Sequence, residues 1–312
     1  MKALLVQSPQ APVAMADVPI PEVGEGEALL RVEAAAVNPS DLLNVAGRFP
    51  HTRFPCIPGR DYAAIVVEGP REWIGAKVFG SANRLGFQEW GAQAEYVRVP
   101  VNGLVRRPER LKASEAAAVG VPYVTAWQAL MAVAAVQPGE TVVVTGARGA
   151  VGSAGIQIAR WAGARVIRVT RGPQLEGDWV STTEGNGSER MRELTGGQGA
   201  DVVFDTVGGE QFPQHVAFMG YRGRLVAIAS RGRSDVQFNM VDFYHQEQRI
   251  FGVDSLKMDF TVTRPILERL SQGFDRGVLT APAVTVEPLE RGPMVYQSLA
   301  QGLHGKWVLT PH

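Results

Sequence analysis

Gly146, Gly149 and Gly152 fall in the run Val142-Val143-Val144-Thr145-Gly146-Ala147-Arg148-Gly149-Ala150-Val151-Gly152-Ser153, where a β-branched stretch gives way to helical spacing. The chemistry such spacing serves is anion binding. A strand-to-helix turn leaves backbone N–H groups unpaired at the start of the helix and turns the positive end of its dipole outward. With no side chains in the way, a pyrophosphate can sit there. Glycines alone also describe an empty turn; within a strand–helix–strand unit they point to a dinucleotide. The next β-like run, Arg165–Val169, ends in Thr170-Arg171, with no acid until Glu176. NAD-binding units place an acid roughly 20 residues past the glycine loop, where it holds the ribose hydroxyls. A guanidinium at that point suits a 2′-phosphate instead. Thr170 and Arg171, with Arg148 from the glycine loop, therefore predict NADPH as the cofactor. The alternative is that both arginines are solvated surface residues.

The elements that must position these residues change character along the chain. The first third reads as short strands between Gly/Pro punctuation: Lys2–Val6, Ala28–Val37, Tyr62–Glu68, Lys77–Gly80 and Gln93–Val99. That spacing predicts a compact β domain or partial barrel. Pro122–Ala135 has helical spacing. Strand and helix then alternate: Thr141–Thr145, Val151–Ala162, Arg165–Val169, Ser188–Thr195, Asp201–Asp205, Arg224–Ala229 and Arg249–Val253. Such alternation predicts a parallel sheet covered on both faces. The polar segment Gly172–Gly187 reads as a surface loop. Pro293–Gln301 reads as a helix and Lys306–Leu309 as a final strand.

Composition narrows the function classes. The chain has 312 residues, 45% hydrophobic and 20% charged, which suits a globular protein of about two domains. Its 31 basic and 31 acidic residues balance, so no basic excess points to nucleic acid and no polybasic run to a membrane surface. The apolar stretch Ala129–Val136 is shorter than the roughly 20 residues a membrane span needs. The N-terminus reads as a strand rather than a signal peptide. A single cysteine, Cys56, leaves no intrachain disulfide and fits a reducing cytoplasm.

Six motifs follow one another: Asn38-Pro39-Ser40-Asp41, Pro58-Gly59-Arg60-Asp61, Thr125-Ala126, the Gly146–Gly152 loop, Asp205-Thr206-Val207-Gly208-Gly209, and Gly305-Lys306-Trp307-Val308-Leu309. This succession resembles the zinc-free quinone oxidoreductase branch of the medium-chain dehydrogenase/reductase superfamily. The resemblance implies an α/β protein. A GroES-like β-rich catalytic domain would span residues 1–121 and 258–312, and a Rossmann doubly wound parallel-sheet domain residues 122–257. It implies hydride transfer from NADPH to a quinone or other activated C=C acceptor, and a homodimer, which the edge run Arg249–Val253 could join. It places Asn38 beside the nicotinamide and Thr125 on the carboxamide or ribose. Gly146, Gly149, Ala150, Val151 and Gly152 fall at the pyrophosphate, and Val207, Gly208, Ala229 and Ser230 complete the cofactor site.

The chain also departs from its relatives. The glycine loop reads Ala147-Arg148-Gly149-Ala150, where relatives usually carry small residues throughout and a second adjacent glycine. The stretch from Arg171 to Asp201 is short, which predicts a truncated Rossmann helix. Phe49 stands where many relatives carry tyrosine, so it is expected to line the acceptor pocket as an apolar wall, with Tyr62 as a substitute proton donor. Asn38 and Asp41 could equally cap a short helix, and Thr125 could bond to its own helix. Zinc-dependent cousins carry a cysteine at the place of Asn38 and a His-Glu pair at Arg60-Asp61. The five histidines, His51, His215, His245, His304 and His312, have no ligand spacing, so no metal is expected. Two other readings stay open: an enoyl-thioester reductase of the same superfamily, and a low-turnover NADPH-binding sensor.

Overall fold

The computed structural model describes residues 1–172, 177–183 and 187–311. Glu176 and His312, named above, lie outside the described residues. The chain forms two compact units: Met1–Val124 with Ser255–His312, and Thr125–Asp254.

The first unit opens with strands β1 (Lys2–Leu5), β2 (Ala14–Asp17), β3 (Glu27–Val37), β4 (Asp61–Glu68), β5 (Lys77–Ser81), β6 (Tyr96–Pro100) and β7 (Val105–Arg106). Helix α1 (Pro39–Val45) follows β3; α2 (Ala113–Ala118) and α3 (Gly120–Trp127) follow β7. In the second unit come β8 (Thr141–Val144), α4 (Ala150–Trp161), β9 (Arg165–Thr170), β10 (Trp179–Ser181), α5 (Gly187–Leu194), β11 (Ala200–Asp205), α6 (Phe212–Ala217), β12 (Met219–Ala227), α7 (Met240–His245) and β13 (Arg249–Gly252). The chain returns to the first unit with α8 (Phe260–Asp275), β14 (Thr285–Pro288), α9 (Gly292–Ala300) and β15 (Trp307–Thr310).

The first unit is β-rich and centred on β3. In its largest sheet β14, β15, β3, β4, β5 and β7 lie in that order, and β6 also pairs with β3. Strand β3 serves three partners by dividing its length: Glu27–Arg31 face β6, Leu29–Ala35 face β4, and Ala35–Val37 face β15. Register shifts at Leu29/Leu30 and Val32/Ala34 interrupt its pairing with β4. One core packs Leu30, Val32, Tyr62, Val66, Leu85 and Phe260 together. Tyr62 is thus a core side chain, which corrects its expected role as a proton donor. The strand expected at Gln93–Val99 begins only at Tyr96, because the preceding backbone pairs with β1 instead: the Leu4 N–H donates to the Gln93 carbonyl and the Glu95 N–H to the Lys2 carbonyl.

The second unit is a six-stranded sheet in the order β10-β9-β8-β11-β12-β13, with every pair parallel. This is the doubly wound Rossmann order: the chain runs outward from β8 to β10, then returns to the far side of β8. Val142, Val143, Val144, Val202, Val203 and Phe204 are fully buried, as central parallel strands require. One face packs Ile167, Val169, Met191, Val203, Val216 and Leu225. On the other, α4 comes so close that a Cβ on Gly155 would lie 2.7 Å from the Phe204 ring. The expected surface loop at Gly172–Gly187 contains a short strand, β10, paired to β9 at Arg168–Thr170. Among the described residues no helix links β9 to β10. Strand β12 starts at Met219 and ends at Ala227, earlier than the expected Arg224–Ala229, which leaves Ala229 and Ser230 in the loop beyond it.

Candidate functional site

In the first unit, strand register builds a buried polar cluster. Trp307 pairs with Val37, so the neighbouring Lys306 and Asn38 stand opposite one another. Asp61 begins β4 at the same end of the sheet. Asn38 Nδ2 donates to Asp61 Oδ2 at 2.9 Å, and Lys306 Nζ donates to Asn38 Oδ1. The Val121 N–H, in the first turn of α3, reaches both Asp61 oxygens at 3.0 Å. Gly120 permits this approach, since a Cβ there would overlap the Asp61 carboxyl. The Asn38 carboxamide is therefore engaged across the sheet. Helix α1 is secured from its other side, where Asp41 Oδ2 accepts the Asn38 N–H at 2.8 Å.

Burial pushes the Asp41 carboxyl up to about 7; neighbouring Asp61 adds to the rise and the Asn38 N–H opposes it. Burial holds the Lys306 ammonium below the ordinary lysine range, against the pull of Asp61 and Asp41. Cys56 is buried and its thiol is pushed up to about 12 by burial and by Asp41, so it is an inert packing residue. Gln93 donates to the Ala36 carbonyl and accepts from Tyr296 Oη at 2.9 Å. Arg60 turns away from the cluster, to the Ala82 carbonyl and to Ser255. Tyr62 points the other way, into the core. Its Oη has no hydrogen-bond partner among the described residues, and burial raises its phenol far above the usual range. Phe49 is half-buried. Its ring packs edge-on against Phe87 at 5.5 Å and lies 5.9 Å from His51, which stacks on Phe87.

In the second unit, loops after four strands converge at the point where the strand order reverses, between β8 and β11. Thr145 Oγ1 donates to Asp205 Oδ1 at 2.8 Å and accepts the Thr206 N–H at 2.9 Å; Thr206 Oγ1 donates back to the Thr145 carbonyl. Asp205 Oδ1 also accepts the N–H groups of Val207 and Gly208, and His215 Nδ1 lies 3.1 Å away. Burial alone would raise this carboxyl, but His215 and the two N–H groups outweigh it and hold it below the usual range. Gly208 has φ +60° and fits against Ala229 and Ser230, where a Cβ would collide. The structure thus brings Gly146, Val207, Gly208, Ala229 and Ser230 together.

The residues of the glycine loop fit a pyrophosphate. Gly149 is the N-cap of α4 and offers no side chain to its first turn. The N–H groups of Ala150, Val151 and Gly152 have no acceptor within the helix. A Cβ on Gly152 would overlap the Gly146 carbonyl, so the loop closes as tightly as it does only with glycine there. The Ala147 N–H binds the Val169 carbonyl, which carries the loop to the end of β9. There the Arg148 guanidinium lies over Gly172, where a Cβ would come 2.6 Å from Nη1. Arg148 thereby meets the backbone just after Arg171, which is exposed, and Thr170, which is buried. Thr125 is 4% exposed and its Oγ1 has no partner among the described residues, so it does not bond to its own helix.

Residues 24–109 match the model of the alcohol dehydrogenase GroES-like domain, and residues 150–271 that of the zinc-binding dehydrogenases. A zinc-type alcohol dehydrogenase-like protein of Schizosaccharomyces pombe is 37% identical, over 99% of this chain and 97% of its own. The chain belongs to the medium-chain dehydrogenase/reductase superfamily. Human quinone oxidoreductase is 27% identical over 94% of this chain and 92% of its own. The crystal structure of an alcohol dehydrogenase superfamily protein from Novosphingobium aromaticivorans superposes with a TM-score of 0.90, at 26% identity and full coverage of both chains. The protein is therefore an oxidoreductase with a GroES-like and a Rossmann domain, from a superfamily that binds nicotinamide nucleotides. No group of three or more His, Cys, Asp or Glu among the described residues could hold a metal ion. No helix among them is long and apolar enough to cross a membrane. Sequence reading did not single out Lys306 or Asp61 as members of the buried polar cluster. The signal available was a lysine entering an otherwise apolar final strand and an acid at the head of β4.

Proposed function

We propose that the protein reduces a quinone or another carbonyl-conjugated double bond with NADPH, without zinc. The observation that carries the cofactor choice is the Arg148 guanidinium over Gly172, next to Arg171, at the end of the second Rossmann strand. A 2′-phosphate there would lie by Arg148 and the residue that follows Arg171. Similarity to quinone oxidoreductases over nearly the whole chain supports the acceptor class. So does the apolar Phe49 ring: reduction of a quinone needs no protein acid, because the hydroquinone anion takes its proton from water. Bound at the glycine loop, the cofactor supplies the hydride. The protein's part is to hold and orient the reactants and exclude water.

The test is NADPH and NADH oxidation against a panel of quinones, enones and crotonyl-CoA, with metal content measured on the same preparation. We expect turnover of quinones or enones, a preference for NADPH, and no stoichiometric zinc. Preferential turnover of crotonyl-CoA would make it an enoyl-thioester reductase. Tight NADPH binding without turnover of any acceptor would make it a sensor.

We further infer a homodimer joined through the second unit. Among the described residues β13 pairs only with β12, so its outer edge is open. Tyr221, Met240, Val241 and Tyr244 are large apolar residues of the same unit, each more than half exposed. Light scattering on a size-exclusion column is expected to give twice the chain mass, and Ile250→Lys to give monomer. A wild-type monomer at micromolar concentration contradicts this.

A further inference from the structure

Several polar groups of the second unit meet on one buried oxygen. Asp205 is fully buried, and its Oδ1 takes the Thr145 hydroxyl at 2.8 Å, the Gly208 N–H at 2.9 Å and the Val207 N–H at 3.0 Å. His215, on α6, is also fully buried and sets Nδ1 3.1 Å from the same oxygen. That nitrogen lies off the line of a hydrogen bond, and Nε2 has no hydrogen-bond partner among the described residues. The attraction between ring and carboxylate is therefore electrostatic. Burying an imidazole with both nitrogens outside hydrogen bonds is costly, and packing alone would be served by an apolar side chain. The effect of the ring shows in the carboxyl beside it. Burial pushes Asp205 up, and His215 leads the groups that hold it below the usual range. A neutral carboxyl accepts more weakly, and a proton on Oδ1 would displace one of the donors gathered there.

The donors on Oδ1 belong to two loops. Thr145 stands just before Gly146 and so fixes the start of the glycine loop. Val207 and Gly208 form the turn after β11, and the Val207 carbonyl accepts the Arg231 N–H at 3.0 Å, which ties that turn to the loop beyond β12. The two loops adjoin: a Cβ on Gly146 would come 3.1 Å from Val207 Cγ2. All of these residues lie within the second unit. We propose that His215 is a positioning residue for nucleotide binding: acting through Asp205, it keeps the glycine loop and the Val207–Gly208 turn locked to one carboxylate oxygen, in the spacing a dinucleotide requires. The inference rests on the reading of these loops as the NADPH site. His215 acts on the loops and not on the end of β9, so its effect does not depend on the 2′-phosphate.

The test is calorimetric titration of His215→Leu, His215→Phe and His215→Asn with NADPH and NADH, beside hydrogen exchange of the Val207 and Gly208 amides in the unliganded proteins. His215→Leu and His215→Phe both remove the polar ring, one with less volume and one with more, so a fold that rejects one is read through the other. Either is expected to weaken NADPH and NADH alike by about tenfold and to speed exchange at the two amides. In quinone reduction the loss should fall on the KM for the nucleotide, with kcat and the quinone KM within about twofold of wild type. His215→Asn can set an N–H near the place of Nδ1 and should bind both nucleotides close to wild type. Thr145→Val combined with His215→Leu should cost less than the sum of the two, because both act on Oδ1. His215→Leu and His215→Phe proteins that bind both nucleotides as wild type does overturn the proposal and leave the functional reading intact. An equal loss in His215→Asn, or a loss without faster exchange at Val207 and Gly208, overturns it as well. Wild-type protein that binds neither nucleotide refutes the functional reading, and the proposal with it.

Discussion

Replacing Arg148 and Arg171 together by alanine is expected to raise the Kd for NADPH by two orders of magnitude or more while leaving that for NADH nearly unchanged. A hydrogen bond to a charged group contributes roughly 1.5–3 kcal/mol, or about 10- to 150-fold in affinity. A guanidinium can present two N–H groups to one phosphate. The two arginines reach the end of β9 by different routes, Arg171 from the strand itself and Arg148 from the glycine loop tied there by the Ala147–Val169 hydrogen bond. Each single variant should therefore lose part of the preference and the double variant most of it. Isothermal titration with both nucleotides reads this directly. Equal affinities in the unmodified protein would refute the assignment, and a loss confined to one single variant would name the arginine that holds the phosphate.

Asp41→Asn is expected to stabilise the protein at pH 8. The Asp41 carboxyl rises from 3.8 to about 7 on folding, chiefly through burial. A carboxyl that binds its proton more tightly when folded favours the native state at low pH. That advantage is lost as pH rises from about 4 to about 7. A shift of this size corresponds to about 4 kcal/mol in all, of which roughly 2–3 kcal/mol falls between pH 5 and pH 8. Asparagine keeps an oxygen for the Asn38 N–H and carries no charge. Asp205 is shifted downward, so its contribution is lost only on acidification below the ordinary carboxylate range and leaves this window untouched. Urea midpoints of wild type and Asp41→Asn at pH 5 and pH 8 should show a slope in the first and a flatter line in the second. Parallel slopes would mean that Asp41 is ionised in the native protein throughout.

The parts of the fold set by local pattern were legible in the sequence. The β-branched run Thr141–Val144, the glycines after it and the apolar period of Ala150–Trp161 define a strand, a turn and a helix within one stretch of chain. Tyr62 was misjudged because it adjoins Asp61 in sequence. Adjacent residues of a strand face opposite sides of the sheet, so an acid in the polar cluster puts its neighbour in the core. Helix α8 was not anticipated: Thr261-Val262-Thr263 and Pro265 are poor helix formers. It forms because the Asp259 side chain accepts the N–H groups of Thr261 and Val262, and because Phe260, Ile266, Leu267, Leu270 and Phe274 are buried. Strand β10 is three residues in a polar stretch, and its neighbour β9 defines it. The contact between Asn38 and Lys306 lay beyond any local reading, since no periodicity spans so much chain.

That separation has a consequence for how the molecule comes together. The Lys306–Asn38 bond joins residues 268 positions apart. Closing so long a flexible loop costs about 5 kcal/mol in chain entropy, beyond a constant shared by all loops. The intervening Rossmann unit lowers that cost if it folds first, because its residues then leave the flexible loop as a body. The first 124 residues hold Asn38 and Asp61 but not Lys306, so the amino-terminal strands alone cannot complete the cluster. The topology makes the closing of this cluster depend on the last strand of the chain, which follows Lys306.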